Sequence, residues 1–165
     1  MWTFGQIPSG IITNEFKDLS YINEPFNDPA MTAKWDEVYG PIYNTGGMVD
    51  YRHYQPPWTD SIIDLLGLGA SGASFYKMTS GKILPYHADA YIKYIKHHKI
   101  KDYKMIHRAV IFLEDWQPGH IFEINGMPLY HYKAGTYVMW QYDTPHMAAN
   151  LGPTDRYTLQ ITGIK

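Results

Sequence analysis

A chain of 165 residues fits one domain with one active site, and an apolar share of 45%, including 15 Tyr, 6 Phe and 5 Trp, is enough to bury a core. A charged share of 18% and a formal charge of −2, with Lys and Arg scattered, give no electrostatic footprint for nucleic acid or an anionic membrane. The absence of cysteine excludes disulfides, thiolate zinc sites, iron–sulfur clusters and cysteine nucleophiles, so any metal must be held by histidine and carboxylate. Met1 to Gln6 lacks a basic segment leading into an apolar run, and no stretch approaches the roughly 18 apolar residues of a spanning helix. The expectation is a cytoplasmic protein acting on a small-molecule or peptide substrate.

The first seventy residues carry most of the helix signals. Asp28-Pro29 opens a predicted helix through Lys34, Trp35, Glu37 and Val38 that closes at Gly40-Pro41, since proline suits a first turn and glycine an exit. A second predicted helix starts around Pro57 to Thr59 and runs through Ile62, Ile63, Leu65 and Leu66 to Gly67, with apolar residues at i, i+3 and i+4 suited to packing on a sheet. From Ala73 onward, β-branched and aromatic runs alternate with Gly, Pro, Asn and Asp. They predict strands at Ser74 to Thr79, Ile83 to Asp89, Met105 to Leu113, His120 to Ile124, Leu129 to Tyr132, Thr136 to Tyr142, Pro145 to Ala149 and Arg156 to Thr162. Asn125-Gly126 is the clearest hairpin signal, and Ala134-Gly135 and Leu151-Gly152-Pro153 mark further reversals. His97-His98, set among Lys93, Lys96, Lys99 and Lys101, reads as a solvated loop or a substrate-side flap. The expected fold is mainly β, a barrel or jelly roll (residues 71–165) with a helical N-terminal part (residues 1–70) packed on its sheet.

Eight histidines carry the chemistry, and most must be structural. In Leu84-Pro85-Tyr86-His87-Ala88-Asp89, His87 and Asp89 lie two residues apart, so on an extended strand both side chains leave the same face and can bind one ion. The pair is weak alone, because eight His and eleven Asp in 165 residues produce about one such pair by chance in every two sequences. Thr144-Pro145-His146 is followed ten residues later by Arg156 and Thr158, in a chain with only three arginines. A guanidinium fork beside a hydroxyl on one strand face suits a carboxylate, and the plainer alternative is a surface arginine. His146 and Arg156 share a face only if the intervening reversal holds an odd residue or a bulge, and the two are expected on neighbouring strands. Two histidines and one carboxylate leave open coordination positions, the arrangement associated with iron(II) oxygenases that bind a 2-oxo acid and dioxygen. A zinc hydrolase would use the same ligands but leaves Arg156 and Thr158 unexplained.

In the order His87-x-Asp89, His146, then Arg156 followed by Thr158, the stretch from Phe75 to Thr162 resembles the 2-oxoglutarate/iron(II) dioxygenases. Arg108-Ala-Val-Ile-Phe-Leu, Pro118-Gly119-His120, Lys133-Ala134-Gly135-Thr136 and Thr144-Pro145-His146 with Asn150 look most like the aspartyl/asparaginyl β-hydroxylase branch. The resemblance implies a double-stranded β-helix, a jelly roll of the cupin kind, with Fe(II) on His87, Asp89 and His146. It further implies 2-oxoglutarate and O2 as co-substrates, the far carboxylate of the former on Arg156 with Thr158 and Tyr76. Arg108 matches the arginine that helps hold the reactants in that branch. Val110 stands where the branch has a histidine, a departure that bears on an aspartyl substrate, and Asp89 stands where members without the metal carboxylate have glycine. The short length, absent cysteines and abundant Tyr are similar to small oxygenases encoded by marine bacteriophages.

Trp140 and Tyr86 are candidates for pocket wall or substrate mouth, and Tyr91 also flanks the motif. His107, His120 and His131 alternate with apolar neighbours and are either supporting contacts or ordinary barrel histidines. The implied activity is hydroxylation of an amino-acid residue, of the Asp/Asn type, or of a small metabolite, with release of succinate and CO2. A prolyl hydroxylase-like oxygenase, and a cupin-like metal-binding protein or isomerase that does not activate dioxygen, are the alternatives.

Overall fold

The computed structural model describes residues 1–22, 33, 36–38, 47–50 and 53–165. In chain order it contains β1 (Trp2–Gln6), a 3₁₀ turn (Asn14–Asp18), β2 (Gly47–Asp50), α1 (Trp58–Leu66), β3 (Gly69–Met78), β4 (Lys82–His87) and α2 (Ile92–His98). A second 3₁₀ turn (Tyr103–Met105) leads into β5 (Ile106–Phe112), β6 (His120–Ile124), β7 (Met127–Pro128), β8 (Thr136–Gln141), β9 (His146–Asn150) and β10 (Arg156–Ile164). These strands form a six-stranded sheet in the order β1-β8-β5-β10-β3-β2 and a four-stranded sheet in the order β4-β9-β6-β7, all pairs antiparallel. Two facing antiparallel sheets with this crossing connectivity are the expected jelly roll, a double-stranded β-helix.

Strand alternation sorts the apolar residues into two cores. Ala109, Ile111 and Leu113 face one side of β5 and join Phe75, Leu159 and Ile161 against Trp58, Ile62, Ile63 and Leu66 of α1. Val110 and Phe112 face the other side and meet Tyr76, Met78, Phe122, Ile124, Val138 and Trp140 between the sheets. The helix α1 forms where periodicity places it and ends at Gly67, whose φ of 65° is the left-handed conformation that glycine adopts without a Cβ penalty. Its Trp58 indole N–H donates to Glu15 at 3.3 Å, tying the first 3₁₀ turn to the outer core.

Several elements depart from expectation. The predicted helix from Asp28 to Gly40 lies largely outside the described residues; of its span, Ala33 and residues 36–38 are described and helical. The first seventy residues also supply two strands, β1 on β8 and β2 on β3. At the sheet edge β1 buries no residue fully, so it carries no core periodicity to read. The segment 129–132 is irregular instead of a strand: β7 stops at Pro128, which cannot donate to a ladder, and His131 has a φ of 56°. Asn125-Gly126 forms the predicted hairpin between β6 and β7, with φ of 49° and 79° at the two turn residues. The lysine-rich segment read as a loop is the helix α2, which buries none of its residues and so shows no apolar stripe.

His146 and Arg156 are not on neighbouring strands. β9 belongs to the small sheet and β10 to the large one, and residues 151–155 cross between them. Both side chains nonetheless reach the interior, because the two sheets face each other. The crossing is fixed by the buried Asn150, whose amide donates to Met78 O at 2.8 Å and Thr154 O at 2.7 Å while its carbonyl accepts from Gly152 N at 3.1 Å. Gly152 is required there, since a Cβ would stand 2.1 Å from the Pro118 carbonyl oxygen.

Candidate metal and carboxylate site

His87 ends β4, His146 starts β9, and the two are paired in register across the small sheet. Their rings lie 4.5 Å apart between centroids. Asp89, two residues past His87, turns back so that its carboxylate oxygens lie 3.6 Å from His87 Nε2 and 3.7 Å from His146 Nε2. One ligand atom from each of the three residues falls within 4.8 Å of the others, a spacing that a single ion can span. The histidine tautomers are fixed by the backbone. His87 Nδ1 donates to Pro85 O at 2.7 Å and His146 Nδ1 donates to Thr144 O at 3.0 Å, which leaves the Nε2 lone pairs turned to the shared position.

Electrostatics act on two members of this set, Asp89 and His146. Burial alone would raise the Asp89 carboxyl, but the Arg108 guanidinium facing it holds it far below the usual carboxylate range. Burial lowers the His146 imidazole to about 4, so it is neutral at pH 7. Arg108 Nη2 lies 3.3 Å from Asp89, and its Nη1 donates to Gln160 Oε1 at 2.7 Å. The same guanidinium lies 5.2 Å from the ring centroid of Tyr91, which is buried beside it. Arg108 therefore braces the carboxylate from the open end of the barrel.

Deeper between the sheets stands a second feature. Arg156 is only 3% exposed, yet its Nε and Nη2 have no hydrogen-bond partner, and no carboxylate pairs with it among the described residues. Its guanidinium is held between Phe112 and Phe122, at 5.4 and 5.8 Å from the ring centroids. The buried hydroxyl of Thr158, two residues along the same face of β10, is likewise without a partner. Tyr76 is paired in register with Thr158 and is buried in the same core. Burying an uncompensated guanidinium costs several kcal/mol, on the order of the penalty for any unpaired interior ion, a cost that an anion placed against it would offset.

Phe122 links the two features, its ring centroid 6.5 Å from that of His146 and 5.8 Å from the Arg156 guanidinium. Trp140 walls the same space, its ring 4.7 Å from His146. The structure thus brings together His87, Asp89, His146, Arg108 and Trp140 around the possible ion, with Arg156, Thr158 and Tyr76 behind it. Tyr86 is 45% exposed and Tyr91, also flanking the motif, is the one buried at the site. His120 is buried against Thr154, His107 is half-buried, and His131 is exposed in a turn against Trp116.

Sequence reasoning missed Tyr132 and Gln160. The Tyr132 hydroxyl is buried beside Arg156 without an aligned partner, and its ring stacks on Phe112 at 3.8 Å. It lies in the irregular stretch after β7, where no periodicity assigns a face. Gln160 was within reach, since it follows Arg156 and Thr158 at the same strand parity.

No protein-family model and no curated protein matches this chain. Among solved structures, it is similar to a prolyl-4-hydroxylase of Pseudomonas putida over 99% of its own length and 92% of the other's, with a TM-score of 0.61 at 17% identity. It is also similar to a non-haem monooxygenase, ThoJ, in a nickel complex, over 70% of its length and 57% of the other's, with a TM-score of 0.52 at 17% identity. Likeness at this identity is a likeness of fold. No helix among the described residues is long and apolar enough to cross a membrane.

Proposed function

We propose that this chain is a non-haem iron(II) oxygenase with 2-oxoglutarate as co-substrate, hydroxylating an amino-acid side chain or a small metabolite. The observation that carries the reading is the buried Arg156, unpaired among the described residues, behind a His, Asp, His cluster whose Nε2 atoms already face one point. The donor set fits a divalent metal that takes imidazole and carboxylate, and the three residues leave coordination positions open. When bound, iron(II) with 2-oxoglutarate and dioxygen supplies an oxidation in which the oxo acid is decarboxylated to succinate and CO2. One oxygen atom then enters succinate and the other a substrate C–H bond.

The chain's own residues bind, orient and exclude water. His87 and His146 present fixed lone pairs, and Asp89 stays anionic because Arg108 faces it. Arg156 and Thr158, with the Tyr132 hydroxyl, offer donors to a carboxylate in the core between the sheets, where Phe122 lies against both Arg156 and His146. Phe112 and Phe122 flank the guanidinium and Trp140 lies against His146, apolar neighbours that strengthen a polar contact there by keeping water out. A prolyl-4-hydroxylase with the same fold across the full chain supports a hydroxylase acting on a peptidyl residue.

Release of succinate from 2-oxoglutarate by the iron-loaded protein tests the reading. Succinate formation that needs both iron(II) and dioxygen and is lost in Asp89→Ala supports it. Wild-type protein that holds iron yet never consumes 2-oxoglutarate returns the cupin-like metal-binding protein or isomerase to first place.

A further inference from the structure

The end of the barrel near Asp89 and Arg108 carries a charge pattern that the site chemistry does not use. Residues 91–107 hold five lysines and one aspartate, a net charge of +4, whereas the chain's remaining nine cations and fifteen anions sum to −6. Lys93, Lys96, Lys99, Lys101 and Lys104 are all exposed, as are His97 and His98. None of the five has a carboxylate partner among the described residues, although Lys17, Lys77 and Lys133 elsewhere each have one.

Contacts place this strip at the lip of the site. Tyr91, the residue before α2, is buried against Arg108 and lies 5.9 Å from the ring of Tyr142. Tyr103 stacks on the other side of that cluster, 5.4 Å from Tyr142. Gln141 at the end of β8 donates to Lys104 O at 3.4 Å, and Tyr94 donates to Ala70 O at 2.9 Å, so helix and turn are both anchored on the sheet end nearest Asp89. Between the lysines stand exposed apolar side chains, Ile92 at 66% and Met105 at 44%.

We infer that this lip is a docking surface for an acidic polypeptide segment, through which the oxygenase proposed above receives a peptidyl substrate. Unpaired lysines on a net-negative protein attract an anionic chain to this end and repel it elsewhere. The choice of polypeptide follows from the side chains between the charges. A single-stranded nucleic acid needs a series of free aromatic faces to stack on, and here Tyr91 and Tyr142 spend theirs on Arg108 and each other, which leaves Tyr103 as the one 45% exposed ring of that cluster. Ile92 and Met105 instead suit aliphatic side chains interleaved with carboxylates.

Fluorescence anisotropy on the full chain without added metal or 2-oxoglutarate tests this apart from turnover. The probe is a labelled twelve-residue peptide alternating glutamate with leucine and alanine; its controls are the same peptide with glutamine for glutamate and an oligothymidylate of equal charge. The acidic peptide is expected to bind with an affinity that falls as salt rises. Each of Lys93→Gln, Lys96→Gln and Lys101→Gln should weaken it about threefold, the scale of an exposed ion pair, while Lys82→Gln leaves it unchanged. Binding of the glutamine peptide equal to that of the acidic one, or equal loss in Lys82→Gln, overturns the proposal. Tighter binding of the oligothymidylate also overturns it and assigns the strip to nucleic acid. Failure here leaves the iron and 2-oxoglutarate reading standing, since neither is present in the assay.

Discussion

Replacing Arg156 separates a binding role from a structural one. The guanidinium is 3% exposed, unpaired at Nε and Nη2 and without a carboxylate partner among the described residues, so in the ligand-free protein its charge is poorly compensated by the ring faces and the Tyr132 hydroxyl beside it. Arg156→Met should therefore keep or raise the stability of the apoprotein, by about 1–3 kcal/mol once the lost cation–π contacts offset part of the relieved desolvation. The same change removes the partner of a buried carboxylate. That costs about 2–5 kcal/mol of 2-oxoglutarate binding, roughly a 30-fold to several thousand-fold rise in Kd, with metal affinity unaltered. Arg156→Lys should recover only part, because a point charge does not reproduce the planar fork. Urea denaturation of the apoprotein reads the first quantity, and anaerobic calorimetry of the metal-loaded protein the second. A 2-oxo monoacid without the far carboxylate should bind wild type and variant alike. Loss of several kcal/mol of apoprotein stability with 2-oxoglutarate affinity intact would refute the reasoning.

Four further outcomes follow from the geometry. His87→Ala, His146→Ala and Asp89→Ala should each abolish succinate formation and lower metal content while far-UV circular dichroism is retained; wild-type metal content in any of them contradicts the ligand assignment. Iron-loaded Asp89→Gly, saturated with 2-oxoglutarate, should respond to azide or halide more strongly than wild type under the same conditions, because one further ligand position is then vacant. Thr158→Ala and Tyr132→Phe should each weaken 2-oxoglutarate by about 1 kcal/mol, one lost hydrogen bond in a site that keeps its cation, measured by the same calorimetry. The apoprotein should lose stability as pH falls from 6.5 to about 4: the unfolded chain protonates His146 in that window and the folded chain resists it. The gap is worth about 3 kcal/mol, and denaturation midpoints of His146→Gln should show a correspondingly flatter pH profile.

The jelly roll was legible because most of its strands are half-buried and alternate, so Val110 and Phe112 part from Ala109 and Ile111 at first reading. The elements that escaped are those whose stability comes from elsewhere. The edge strand β1 is held by its ladder to β8, and α2 by Tyr91 just before it and Tyr94 in its first turn, so neither needs an apolar face. At the site, the strand parity of Arg156 and Thr158 was local information and was readable; the spacing of His87 and Asp89 was legible too, but Asp89 lies past the end of β4 and reaches the histidines by turning back, not by strand parity. What was not local was the sheet crossing at residues 151–155, fixed by the Asn150 clamp, and the arrival of Tyr132 beside Arg156 from a loop. Both depend on contacts between residues far apart in sequence, which no spacing rule encodes.

The central claim is that His87, Asp89 and His146 hold a metal within reach of a dicarboxylate anchored on Arg156. Anaerobic titration of the apoprotein with iron(II) and then 2-oxoglutarate tests it most directly, through the weak visible metal-to-ligand charge-transfer band that chelation by a 2-oxo acid produces. The account predicts a band that saturates at one equivalent of each in wild type, needs far more 2-oxoglutarate in Arg156→Met, and is absent in His146→Ala. A wild-type protein that binds iron but develops no band, or develops the same band at the same concentration in Arg156→Met, would contradict it.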